Sequence, residues 1–113
     1  MISNNVKSKW EKKETVLNSF LSIANPFTAE IMSEQGYDAL TIDHQHGMIA
    51  FNDVLAMLQS IRSSGVTPIC RVSGLDHSVI SKVMDAGALG VICPMINNRA
   101  QAEQLVQDCK YPP

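Results

Sequence analysis

Short apolar runs alternate four times along this chain with longer segments whose apolar residues recur at spacings of three and four. This alternation constrains the fold more than any other feature. The first strand-like run is 16–23. It leads into Asn25 and Pro26, an N-cap and a first-turn proline that open a helix over 27–35, which Gly36 stops. A second strand over 39–43 precedes a helix with Phe51, Val54, Leu55, Leu58 and Ile61 on one face, closed by Gly65. A third strand over 67–72 is followed by a helix entered near Asp76, which buries Val79, Ile80, Val83 and Met84 and ends at Gly87. A fourth strand over 89–95 leads to a helix capped by Asn97 or Asn98, with Ala102, Leu105, Val106 and Cys109 at helical spacing. Residues 1–14 form a leading helix whose interleaved lysines and glutamates read as a solvated face.

Strands that alternate with helices of about ten residues imply right-handed crossovers and a parallel sheet. The strands agree, because Leu89, Val91, Ile92 and Cys93 do not alternate with charges, as expected where both faces are buried. Four such units build either a small open doubly wound sheet or half of a (β/α)8 barrel, which needs roughly 200 residues or more. The chain closes on Tyr111, Pro112 and Pro113 just after a helix, at a sequence suited to the loop into a fifth strand. The expectation is therefore an α/β fold, the N-terminal half of a TIM barrel with parallel strands, forming a single partial domain over 1–113. A half-barrel leaves two strand edges and its inner face open, so association is a hazard.

Composition narrows the function. A net charge of −2 offers no basic field for nucleic acid. No apolar run approaches the ~18 residues of a membrane span, and no export signal opens the chain. The three cysteines, Cys70, Cys93 and Cys109, have no ligand-type spacing and fall in apolar contexts, so they read as core thiols in a reducing cytoplasm.

In parallel α/β folds chemistry gathers at the C-terminal ends of strands. Asp43, His44 and His46 cluster at the end of the second strand, next to Gly47. A carboxylate beside an imidazole fixes its tautomer and raises its basicity, so Asp43 orienting His46 is the natural general-base dyad. Arg71 lies in the third strand among Ile69, Cys70 and Val72, where an unpaired charge is costly and a partner is required. It is either an ion pair with a barrel-interior carboxylate or a fork presented to an anionic substrate. His77, at a helix entry, lacks comparable company and reads as exposed.

The order and spacing of several motifs resemble the metal-dependent class II pyruvate aldolases. These include 4-hydroxy-2-oxoheptanedioate and 2-keto-3-deoxy sugar-acid aldolases, related to the citrate lyase β subunit. The motifs are Gly36-Tyr37-Asp38, Asp43 with Gln45-His46-Gly47, 68–72 around Arg71, Asp85-Ala86-Gly87-Ala88, Pro94-Met95 and Tyr111-Pro112-Pro113. The resemblance covers the chain from about Thr15 onward. It implies a barrel enzyme in which Mg2+ or Mn2+ polarises the carbonyl of a 2-oxo acid. By the same resemblance His46 is the catalytic base, Asp43 supports it, and Arg71 holds the pyruvate carboxylate and stabilises the enolate. The partners implied are a 2-oxo acid and an aldehyde, with a homo-oligomer at full length. Gln45 stands where many members carry glutamate, and Ser73-Gly74-Leu75 replaces a loop that often holds Pro-Trp. The family's metal-binding Glu and Asp come from later strands, beyond residue 113, so the chain alone is expected to be inactive.

Two other readings fit parts of the pattern. His44 and His46 have the H-x-H spacing of a metal-dependent barrel hydrolase, although Asp43 stands in an unusual place for one. Alternatively, the chain is a non-catalytic half-barrel that completes its sheet with a partner or a second copy.

Overall fold

The computed structural model describes residues 2–112, so Met1 and Pro113, at the ends of the leading helix and of the Tyr-Pro-Pro segment, lie outside it. The elements run α1 (Asn5–Glu11), β1 (Asn18–Leu21), α2 (Pro26–Ser33), β2 (Ala39–Asp43), α3 (Phe51–Arg62), β3 (Thr67–Arg71), α4 (His77–Asp85), β4 (Gly90–Ile92) and α5 (Arg99–Asp108). The strands form one sheet in the order β1-β2-β3-β4. Every pairing is parallel. The chain thus forms a partial α/β barrel of four βα units behind a leading helix.

Local signals account for the helix starts. The Asn25 side chain accepts the Thr28 N–H, with Pro26 in the first turn. Asp76 takes the N–H groups of Ser78 and Val79, and Asn98 that of Gln101. The Asp53 carboxylate reaches back to the Ala50 N–H at 3.0 Å, tying the first turn of α3. Gly36, Gly65 and Gly87 all have positive φ, which suits a glycine following a helix.

One face of the sheet carries the core. Leu21, Leu40, Ile42, Cys70 and Val72 pack against Ala29, Val54, Met57, Leu58, Ile61, Ile80 and Val83 from the helices. Each large aliphatic side chain buried there contributes roughly 1.5–3 kcal/mol. The register places the alternate residues Phe20, Thr41, Asp43, Ile69, Arg71 and Ile92 on the opposite face. That face is open: Phe20 is 45% and Ile92 38% exposed. A complete barrel would enclose it.

Several expectations change in detail: β1 covers Asn18–Leu21 rather than 16–23, and among the described residues the leading helix covers Asn5–Glu11 rather than 1–14. β4 ends at Ile92 rather than Met95, because Pro94 has no N–H to donate and Met95 adopts a positive φ of 61°. The leading helix is more than a solvated face. Val6 is buried, Asn4 donates to the Leu89 carbonyl and Asn5 to that of Gly65, and the Val6 N–H meets Thr67 Oγ1. Lys9 pairs with Asp38 at 2.6 Å. α1 therefore ties down the segments that enter β2, β3 and β4.

Candidate active site

Parallel pairing fixes the centre of the site. Asp43 and Arg71 are register partners at the C-terminal ends of β2 and β3, so their side chains leave the sheet on the same face. Arg71 Nε donates to Asp43 Oδ1 at 3.0 Å and Nη2 to Oδ2 at 2.7 Å. This is a two-point fork, the strongest geometry available to the pair. The same carboxylate turns the next loop: its Oδ1 accepts the backbone N–H groups of Gln45 and His46, at 3.2 and 3.1 Å. The Arg71 hydrogen bond, joined by those from the loop, holds the Asp43 carboxyl at about 2 against the opposing effect of burial.

Gly47 closes the turn through its N–H on the Asp43 carbonyl at 3.1 Å. A Cβ at this position would lie 2.4 Å from that carbonyl oxygen, so no larger residue fits without moving the loop. His46 stands exposed on this turn. His44, half-buried, places Nδ1 2.8 Å from the Ile49 carbonyl and so braces the loop. Above the fork, Arg71 Cζ lies 4.9 Å from the centre of the Phe20 ring.

Asp43, His46 and Arg71 are therefore brought together at one end of the sheet, but not as the sequence pattern implied. Asp43 grips the His46 backbone, while both its oxygens serve the Arg71 fork. The dyad geometry is replaced because a guanidinium directly across the strand pair can use two carboxylate oxygens at once. Arg71 does have the interior carboxylate partner expected of a strand arginine. Phe20 escaped the sequence reading: only the register of β1 against β2 reveals that it shares a face with Arg71.

His77 also differs from expectation. It is exposed, yet its Nδ1 is 3.1 Å from Asp108 Oδ1, a buried carboxylate that also accepts from Gln104. Thirty-one positions separate the pair in sequence. The cysteines are free, with Cys70 buried and its thiol pushed up to about 12 by desolvation. Such a thiol is a packing group and a poor nucleophile. Among the described residues no three His, Cys, Asp or Glu side chains gather as a metal site. Among those residues no helix is long and apolar enough to cross a membrane.

The Arg71–Asp43 fork and the histidine loop thus lie together at the C-terminal end of a parallel α/β sheet. The chain belongs to the HpcH/HpaI aldolase/citrate lyase family, whose model matches residues 17–113. It is 38% identical over 110 residues to the hydroxypyruvate/pyruvate aldolase of Rhizorhabdus wittichii, covering 97% of this chain and 44% of that protein. It is 33% identical over 113 residues to the 2-keto-3-deoxy-L-rhamnonate aldolase of Salmonella typhi, covering 100% of this chain and 42% of that one. A solved HpcH/HpaI aldolase/citrate lyase family protein from Burkholderia cenocepacia superimposes with a TM-score of 0.89 at 26% identity, over 98% of this chain and 44% of its own. The chain thus spans less than half the length of the relatives it matches.

Proposed function

We propose that residues 1–113 supply the carboxylate-binding and proton-transfer half of a pyruvate aldolase, a carbon–carbon lyase that reversibly cleaves 4-hydroxy-2-oxo acids to pyruvate and an aldehyde. The observation that carries the reading is the Arg71–Asp43 fork at the strand ends, with His46 on the loop that the same carboxylate turns. Membership of an aldolase/citrate lyase family supports it.

In this reading the Arg71 guanidinium, held along one edge by Asp43, presents its remaining Nη1 edge to the substrate carboxylate. Its fixed positive charge also stabilises the negative charge that develops on the enolate oxygen. His46, exposed on the loop, moves the proton. Asp43 is a positioning residue: ionised at neutral pH, it holds both the guanidinium and the backbone that carries His46.

The resemblance implies Mg2+ or Mn2+, which when bound polarises the 2-oxo carbonyl as a Lewis acid. The described residues do not by themselves fit such an ion, since both Asp43 oxygens are engaged by Arg71 and no further carboxylate joins them. By the same resemblance the Glu and Asp ligands belong to later strands of the family's barrel, which leaves these residues the binding and proton-transfer roles alone. In this proposal the complete enzyme is a cytoplasmic homo-oligomer, a location supported by the three free cysteines.

The test is pyruvate release from a panel of 4-hydroxy-2-oxo acids with Mn2+, by residues 1–113 completed with the C-terminal remainder of the Rhizorhabdus wittichii relative. Release by the completed barrel and none by the 113-residue chain alone is the expected result. A completed, folded barrel that releases no pyruvate from any member of the panel would count against the reading.

A further inference from the structure

Arg71 is held in two different ways. The fork to Asp43 uses Nε and Nη2, which fixes the guanidinium along one edge but leaves it free to tilt about that edge. The Phe20 ring, 4.9 Å from Cζ, covers one flat side of the group and removes that freedom. The contact spans β1 to β3, across β2. Phe20 keeps 45% of its surface exposed on the open inner face and is no member of the buried core, so its aromatic face is available to the arginine. A ring quadrupole attracts a cation placed over its face, and the attraction strengthens as water is displaced.

We propose that Phe20 is a positioning residue for Arg71: its ring sets the tilt of the guanidinium so that the Nη1 edge points to an incoming 2-oxo acid carboxylate. The inference rests on the carboxylate-binding role of Arg71 argued above. It assigns the aromatic ring, and not merely an apolar side chain, a part in substrate affinity. A leucine at this position keeps comparable apolar bulk but has no face to offer the cation.

The experiment is a pyruvate titration, with Mg2+, of the barrel completed with the C-terminal remainder of the Rhizorhabdus wittichii relative, followed by NMR at the Arg71 Nε–H signal, in the parent, Phe20→Leu, Phe20→Met and Phe20→Tyr. Core amide signals from β2 and α3 report that each variant is folded, and the two non-aromatic variants guard against one failing to fold. The half-saturation concentration is expected to rise about 3- to 10-fold in Phe20→Leu and Phe20→Met, and to stay within about 2-fold of the parent in Phe20→Tyr. A folded Phe20→Leu or Phe20→Met chain with the parent's half-saturation point would overturn the role of the ring. So would a Phe20→Tyr chain that loses affinity as much as Phe20→Leu does. An Arg71 signal that does not respond to pyruvate even in the parent would contradict the carboxylate role itself, and this inference with it.

Discussion

Arg71 and Asp43 sit directly opposite one another on neighbouring parallel strands, and Asp43 joins them to a third element by accepting the backbone N–H of His46. One carboxylate thus holds the guanidinium and the histidine loop in a common frame. Its side chain is only 5% exposed, whereas that of Arg71 is 26% exposed.

Replacing Asp43 by asparagine should therefore disturb stability as well as the site. Removing one partner of a buried ion pair typically costs about 3–5 kcal/mol, and the solvent reaching Arg71 lowers the expectation to roughly 2–3 kcal/mol. Urea denaturation of the parent and Asp43→Asn chains measures this, and a difference under about 0.5 kcal/mol would show that the fork contributes little to the fold.

The same carboxylate predicts acid sensitivity. Its folded pKa, about 2, lies below the ordinary value of 3.8, so its contribution is complete above that ordinary value and is lost as pH falls toward 2. The shift corresponds to about 2 kcal/mol. Denaturation midpoints measured from pH 6 down to pH 2 should fall more steeply in the parent than in Asp43→Asn, and parallel pH profiles would exclude Asp43 as the source.

Gly47→Ala should be disruptive out of proportion to one methyl group. The new Cβ would meet the Asp43 carbonyl oxygen at 2.4 Å, a backbone atom that cannot swing aside. A loss of roughly 1–3 kcal/mol is expected, with displaced amide signals from 43–47. An unchanged melting temperature would mean that the turn opens at little cost.

The two histidines of the loop should separate by readout. His44 braces the turn through the Ile49 carbonyl, so His44→Ala is expected to lower stability by about 1 kcal/mol while leaving a completed barrel active. His46, exposed and without that brace, should be replaceable by alanine with little effect on stability but a severe loss of activity. Urea titrations of both chains, with pyruvate-release rates in the completed barrel, distinguish the two. Zinc retention dependent on His44 would instead favour a hydrolase centre.

Much of this architecture was legible in the residues. Asn25-Pro26, Asp76 and Asn98 announce helix starts through local hydrogen bonding, and Gly36, Gly65 and Gly87 mark the stops, so the four βα units follow from short-range chemistry. Asp43, His46 and Arg71 stood out because charge at the end of an apolar strand needs a reason. Their pairing did not. Which group Asp43 holds depends on strand register, a long-range property, and the register gives the carboxylate to Arg71. The Phe20 stack, the His77–Asp108 pair and the anchoring of α1 through Asn4, Asn5 and Lys9 were hidden for the same reason. Each joins residues that are neighbours only once the sheet has formed.

In the proposed function this half-site removes a proton from pyruvate while holding its carboxylate. The most direct measurement is exchange of the pyruvate methyl protons for deuterium, followed by proton NMR in D2O with Mn2+, for a barrel completed with the relative's C-terminal remainder. Exchange is expected in the parent, with a loss of at least about 100-fold in both His46→Ala and Arg71→Ala, the scale of a general base and of a charge-stabilising donor. Exchange at the parent rate in both variants would contradict that function.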